Sequence, residues 1–283
     1  MSAEEVEAVR GLLGAEITSG VGAAMMCKFG GVERCLARYV RYAGAGEPAA
    51  AAVRATVAFR TEHNVDEIEA RITENGTLDL VGPLWFSAFN PNCSPDGSPI
   101  LYYKAEVVDG GRIVASCTEE QFRDFYLYWM EKGLAMQVAS INAGAEPAGV
   151  IEIYDIANVG ISQLHISGMM LLSRVLGLGQ LHYPENLAKG YLINAPWWIS
   201  QGYSLITPVL SQATVDALSI SSDDCREDLL THMSEEEHTA MLASVVAPPP
   251  EYPVDEDGLS VRTLLKALYR GGCSFLRFLR ACL

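Results

Sequence analysis

The chain has 283 residues, of which 49% are hydrophobic and 19% charged, a balance that builds a sizeable packed core and excludes global disorder. Its formal net charge of -15 excludes sequence-independent nucleic-acid binding, which needs a basic footprint, and disfavours lasting adhesion to an anionic bilayer. Seven scattered cysteines, without a CxxC pair, predict neither a disulfide framework nor a metal site. The opening MSAEEVEAVRGLLG is acidic and has no apolar core of the signal-peptide type. No apolar run reaches the ~18 residues of a membrane span. The chain therefore reads as cytoplasmic and reducing.

Residues 1–75 are Ala-rich and helical in pattern. Gly44 to Ala52 reads as a turn leading into a helix, with Pro48 early in it and Val53, Val57 and Phe59 as its inward stripe. Asn75-Gly76 is a turn signal. Phe89 to Pro99 (FNPNCSPDGSP) is an irregular loop, and a strand follows over Ile100–Lys104. Glu119 to Ala143 is an amphipathic helix carrying Phe122, Phe125, Tyr126, Trp129, Met130 and Met136, ended by Gly144 and Pro147. A strand covers Val150–Ile156, and a Met- and Leu-rich helix covers Ile166–Leu176, closing at Gly177 and Gly179.

The run Tyr183 to Ser222 holds a loop, a buried strand (Gly190–Ala195), an aromatic helix starting after Pro196, and a second buried strand. Trp197, Trp198, Tyr203, Leu205, Ile206, Val209 and Leu210 give that helix a large apolar surface to cover. Asp223 to Ser244 reads as a charged helix-and-turn segment, and Val246 to Gly258 as a Pro-rich acidic linker. The last stretch, Leu259 to Leu283, carries five basic residues and no acidic one among Leu and Phe. Two readings stay open for it. It is a basic amphipathic helix for a membrane or partner, or, since TLLKALYRGGCSFLRFLRA resembles MMCKFGGVERCLARYVRYA (Met25 to Ala43), the opening of a second repeat.

Four segments carry a family resemblance. YPE with a following lysine (Tyr183, Pro184, Glu185, Lys189), INAP (Ile193 to Pro196) and the aromatic helix after it are similar to the CRAL-TRIO lipid-binding fold. DGSPILYY (Asp96 to Tyr103), VIEIYDIANVGIS (Val150 to Ser162) and AAAAVRATVAFRTEHNVDEI (Ala49 to Ile68) fall in that family's order. The resemblance implies an α/β fold: an N-terminal helical subdomain (1–75), then a lipid-binding domain (76–245) whose mixed β-sheet is flanked by helices and closed by a mobile gate helix. The linker (246–258) and the tail (259–283) follow.

The implied function is to bind a hydrophobic lipid in an apolar cavity under the gate and to carry or present it between membranes. The alternative is a lipid-sensing or protein-interaction scaffold that transfers nothing. Tyr102, Met130, Tyr154, Trp197, Trp198, Tyr203, Ile206 and Val209 are the implied cavity and gate residues. Each buried ligand CH₂ would contribute ~0.8 kcal/mol. Glu185 and Thr214 match the headgroup site of the phosphatidylinositol-binding members. The basic pair of that site falls on Ala43 and Gly44, its post-gate lysine on Ala217, and the arginine after YPE on Asn186; an alternative register keeps Lys28. Compact positive charge for a phosphate is thus missing there.

Strand alternation puts Val150, Glu152 and Tyr154 on one face and Ile151, Ile153 and Asp155 on the other. By resemblance the first face looks into the cavity. Glu152 then either favours a neutral or hydroxyl-bearing ligand, with a raised pKa, or pairs with Lys104 or Arg174.

No GxSxG, HExxH or phosphate-binding loop is present, and the five histidines lack metal spacing. GAGEPA (Gly44 to Ala49) follows no strand and reads as a turn. The expectation is a protein that is not an enzyme and holds no cofactor beyond a bound lipid. Its partners would be the lipid, a transiently contacted membrane and, through the basic tail, a protein, with no nucleic acid.

Overall fold

The computed structural model describes residues 2–160, 166–197, 199 and 212–244. The first layer is helical: α1 (Ala3–Leu13), α2 (Gly20–Lys28), α3 (Val32–Ala43), α4 (Glu47–Glu62), α5 (Ile68–Glu74) and α6 (Thr77–Val81). Ser2 and Glu5 close a capping box over the first turn of α1. Gly44 and Gly46, both at positive φ, turn α3 into α4, where Pro48 occupies the first turn. Val53 and Phe59 are buried as expected, together with Val9, Leu13, Met25, Phe29, Leu36 and Tyr39.

The rest is α/β. Strand β1 (Ser87–Phe89) pairs antiparallel with β2 (Ile100–Lys104). Helices α7 (Gly110–Ser116) and α8 (Glu119–Asn142) lead to β3 (Val150–Asp155), and α9 (Ile166–His182) leads to β4 (Leu187–Ile193). After α10 (Gln212–Ala217) comes β5 (Leu218–Ile220), followed by α11 (Arg226–Leu229) and α12 (Glu235–Leu242). The sheet runs β1-β2-β3-β4-β5, parallel throughout except at β1. This is the mixed, helix-flanked sheet that the sequence implied.

Helix α8 holds the two layers together. Leu127, Tyr128, Met130 and Leu134 join the helical core, while Trp129 packs towards Leu101, Tyr103 and Val150 of the sheet. Gly133 lets the helix come close, since a Cβ there would sit 3.1 Å from Val150 Cγ2 and 3.4 Å from Phe89 Cζ. The opposite sheet face (Ile100, Tyr102, Ile151, Ile153, Tyr191, Ile193) is covered by Leu229, Met233, Met241 and Leu242. Strands β2 and β3 are therefore buried on both faces, which is why they read as nearly continuous apolar runs.

Three local expectations are corrected. Helix α9 does not close at Gly177 and Gly179 but runs to His182. Gly179 is needed inside the helix because a Cβ there would lie 2.0 Å from the Tyr126 hydroxyl. Strand β4 begins at Leu187 and ends at Ile193, three residues before its expected start and two before its expected end. Phe89, read as loop, closes β1.

Candidate functional site

Register assigns the sheet faces. Leu101 stands beside Glu152 and Tyr103 beside Tyr154 on the neighbouring parallel strands, so these four share the face beneath α8 with Val150. Tyr103 and Tyr154 stack at 4.6 Å with ring planes 4° apart. Trp85 meets Tyr103 edge-on at 6.4 Å, and Phe89 meets Trp129 at 5.7 Å.

Glu152 is set into this aromatic wall. It is only 9% exposed, and the Tyr154 hydroxyl donates to its carboxylate. Burial raises the Glu152 pKa, and the Tyr154 bond opposes that only in part. Neither expected cation pairs with it. The Lys104 ammonium donates to the Ser244 carbonyl at 2.9 Å and meets Glu106 at 3.3 Å, and Arg174 is bound to Glu119 at 2.8 Å. Tyr103, Tyr126 and Tyr154 are themselves pushed up, by burial first and then by the Glu152 charge. Glu152 and Tyr154 thus form a polar pair in an otherwise apolar layer.

Two expected cavity residues sit elsewhere. Tyr102 points to the opposite face, where its hydroxyl donates to Asp155 Oδ2 at 2.8 Å and its ring meets Phe86. It is Tyr103 that stands beside Tyr154 on the face beneath α8. Met130 belongs to the helical core, and Asn186 Nδ2 lies 3.7 Å from its sulfur.

The ends of β3 and β4 are tied together. Asp155 Oδ1 accepts from Asn194 Nδ2 at 2.9 Å and from the Ala157 amide at 3.1 Å. Asn194 takes a positive φ of 54° to make this bond, and the Asn194 and Ala195 amides bond to the carbonyls of Asp223 and Ser221. The INAP turn is therefore held by its asparagine at the carboxyl end of the sheet, where open α/β sheets place ligands. Trp197, immediately beyond, is 74% exposed. Trp198, Tyr203, Ile206 and Val209 lie outside the described residues, as do the linker and the basic tail; the backbone of Thr214 is in α10, and its side chain is not described.

The YPE segment works as a root and a branch. Tyr183 donates to Glu131 Oε1 at 2.8 Å, inside a network in which Arg60 grips both Glu131 oxygens at 2.8 and 2.9 Å. Lys28 joins that network through Glu131 at 2.9 Å and Asp66 at 3.3 Å, so it is spent on structure and is not a headgroup base. His182 stacks on Phe59 at 4.0 Å and bonds to Thr56 at 3.1 Å; burial depresses its pKa to about 4.

Glu185, at φ 55°, reaches out to Arg41. Beside this pair is a pocket of about 160 Å³ lined by Arg34, Arg38, Arg41, Ile141, Pro147 and Glu185. Asn186 replaces the family's arginine with a neutral link: its Oδ1 accepts from Gln137, whose Oε1 accepts from Arg38 at 2.7 Å. Sequence reasoning missed these arginines because it looked for bases at Ala43 and Gly44. The signal was the 34/38/41 spacing, which places all three on one face of α3.

A wider groove of about 540 Å³, lined among others by Ser116, Thr118, Gln121, Leu171 and Arg174, opens between α7 and α9. Among the described residues no group of acidic, His and Cys side chains could hold a metal, and no helix is long and apolar enough to cross a membrane.

Comparison with known proteins adds the lineage. The model of the CRAL/TRIO domain matches residues 88–241, a span that holds β2 to β5 and the Glu152 face. The Sec14 cytosolic factor of Schizosaccharomyces pombe is 27% identical over 161 residues, covering 56% of each chain. The SEC14 cytosolic factor of Kluyveromyces lactis is 36% identical over 146 residues, 50% of this chain and 47% of that one. The chain thus spans about half the length of these curated relatives. The crystal structure of Sfh5 superposes with a TM-score of 0.61 over 95% of this chain and 99% of that one, at 12% identity, a likeness of fold alone.

Proposed function

The chain belongs to the CRAL/TRIO domain family, and from that premise we propose that it is a lipid carrier, holding one lipid against the α8-facing side of its sheet and exchanging it at a membrane. The observation that carries this reading is Trp197: a tryptophan 74% exposed on the first residue after the INAP turn. Such a side chain is costly in water and favoured at a bilayer interface, where its apolar ring and polar N–H are both satisfied. The segment it heads, Pro196 to Leu210, is the proposed gate. Its aromatic and aliphatic side chains would cover the lipid in water and uncover it at the membrane.

Glu152 supports a particular ligand class. Its carboxyl has acceptor capacity and, when protonated, an O–H to donate, while the Tyr154 oxygen, its hydrogen given to Glu152, can accept within an aromatic wall, so the part of the lipid lying there is neutral or hydroxyl-bearing. The acidic surface shortens the visit to an anionic bilayer, and the names of the cytosolic relatives support a cytoplasmic protein between visits. The helical subdomain (1–75) and the lipid-binding domain (76–245) are retained as the units of this reading.

Native mass spectrometry of the purified protein, with extraction and identification of what it carries, tests the proposal. A stoichiometric neutral or hydroxyl-bearing lipid, moved between vesicles in a transfer assay, is the expected result. A protein that arrives empty and takes nothing from vesicles overturns it and leaves the scaffold reading.

A further inference from the structure

A strap crosses the outer face of the sheet after β5. It begins at Ser221 and Asp223, whose carbonyls accept from the Ala195 and Asn194 amides of the INAP turn at 2.8 and 2.7 Å. It then turns through Cys225, at φ 49°, into α11 and on to His232. Leu229 and Met233 anchor it in the apolar layer that holds Tyr191. Between the INAP contacts and Leu229 its residues are mostly exposed, and a non-glycine residue in the left-handed region carries backbone strain. Few buried contacts and local strain mark a segment that opens more easily than the whole fold.

One polar bond ties the strap to the strand beneath it. The Tyr191 hydroxyl on β4 lies 2.9 Å from His232 Nε2, and the two rings meet edge-on at 5.8 Å. Tyr191 is buried, and among the described residues this is the one hydrogen bond of its hydroxyl. A hydroxyl with one partner gives its hydrogen to that partner, so Nε2 accepts and His232 is neutral, with its proton on Nδ1.

Protonation puts a second N–H on the ring. Nε2 then no longer accepts, and the buried Tyr191 hydrogen loses its acceptor. The charges facing the ring are mixed: Asp96, in the loop before β2, and Asp228, on α11, favour the imidazolium, and Lys189 of β4 opposes it. Burial outweighs both carboxylates and holds the His232 pKa below the usual 6.5. Burial first, then Asp228 and Cys225, raise the pKa of Tyr191, so the phenol keeps its hydrogen throughout.

We propose that the Tyr191–His232 bond is a proton-operated clasp: neutral His232 holds the strap on the sheet, and the imidazolium loosens residues 221–233 together with the two carbonyls that hold the INAP turn. The folded strap binds fewer protons than the open one, so it is closed above pH 6.5 and weakens as pH falls from 6.5 through the folded value. An anionic bilayer surface, at about −30 mV, lowers the local pH by about 0.5, in the loosening direction. The clasp stands apart from the lipid-carrier reading; only its bearing on the segment after Pro196 rests on that reading.

Amide exchange followed by NMR on the full chain at pH 7.5 and 5.0, corrected for the intrinsic effect of pH, tests the clasp. At pH 5.0 the protection of the Asn194, Ala195 and Met233 amides should fall a few-fold, and by no more than about 30-fold, the limit set by the gap of about 1.5 between 6.5 and pH 5.0. His182, with its pKa at about 4, stays neutral in this window. In His232→Gln, whose side-chain oxygen accepts at either pH, the fall should disappear. Tyr191→Phe lacks the bond throughout, so at pH 7.5 it should already show the lowered protection that the wild type shows only in acid. This second variant keeps the test valid if H232Q fails to fold. No fall in the wild type, an equal fall in H232Q, or wild-type protection in Y191F at pH 7.5 overturns the clasp. A fall at Met233 with Asn194 and Ala195 unchanged overturns its link to the INAP turn. No lipid is needed, so a protein that purifies empty would overturn the carrier reading and leave this result standing.

Discussion

The Tyr154 hydroxyl donates to the Glu152 carboxylate two residues back on the same face of β3, a bond made inside a wall of aromatic rings. Period-two geometry brings the two together, and burial decides what the pair does: it favours the protonated carboxyl. A carboxyl whose folded pKa lies above its unfolded one binds more protons when folded. Stability therefore falls as pH rises from the ordinary value of 4.5 through the folded value. Replacing Glu152 with Gln keeps the shape and removes the charge. Melting temperatures of wild type and E152Q at pH 5 and pH 8 check this. The wild type should lose ground to E152Q at the higher pH, by about 1 kcal/mol or more. A difference independent of pH would mean that the carboxyl ionises freely in the folded state.

Gly177 and Gly179 lie two residues apart in α9 and should respond oppositely to alanine. A Cβ on Gly177 meets nothing within 4 Å, so G177A gains helix propensity, up to about 1 kcal/mol. A Cβ on Gly179 would stand 2.0 Å from the Tyr126 hydroxyl and 3.1 Å from its ring carbon. Overpacking then outweighs propensity, and G179A should cost about 1–3 kcal/mol. Tyr126→Phe removes the nearest atom, so the Y126F/G179A double variant should recover part of that loss in a denaturant-based double-mutant cycle. A stabilised G179A would refute the steric account.

The same two glycines show where the chain was legible as text and where it was not. Strand β2 was readable to the residue, and α8 and β3 to within one, because Pro, Gly and periodicity mark their ends locally. Gly179 was misread as a stop because its reason is a hydroxyl on another helix. Likewise β4 starts at Leu187 with Lys189 inside it, whose ammonium lies 6.0 Å over the Tyr191 ring, a placement that no hydropathy pattern signals. Tyr102 and Tyr103 join opposite faces of the sheet, and which face lies beneath α8 is a property of the packed strands. The arginine pocket was hidden because its members come from α3, the end of α8 and the YPE turn. The aromatic segment after Pro196 was the plainest sequence signal, and most of it lies outside the described residues.

Acid should attack the protein at two further points. Glu131 is held below the ordinary carboxylate range: burial raises its pKa, but Arg60 and Lys28 more than offset that. The stability it contributes is present above pH 4.5 and is lost as pH falls through its folded value. His182 is buried neutral, at about 4 instead of 6.5, so folding also weakens as pH drops from 6.5 towards 4. An NMR titration should find the His182 ring still neutral at pH 5.5. Glu131→Gln leaves Arg60 with Asp66 as its remaining carboxylate and should cost at most about 3–5 kcal/mol at pH 7, with a flatter acid limb than the wild type. A steep limb persisting in E131Q would assign acid sensitivity to other carboxylates.

Trp197 separates membrane contact from folding. Because it is 74% exposed, Trp197→Ala removes little packing and should leave stability within about 0.5 kcal/mol of wild type. The loss should appear at the bilayer, where an interfacial indole no longer anchors the head of the proposed gate. Lipid transfer between vesicles should slow several-fold in W197A and less in W197F, which keeps an apolar ring but loses the N–H donor. The lipid content of the resting protein should not change, since the side chain points to solvent. A W197A protein that transfers lipid at the wild-type rate would place the membrane contact elsewhere. One that purifies empty would move Trp197 from the membrane side of the gate to the ligand side.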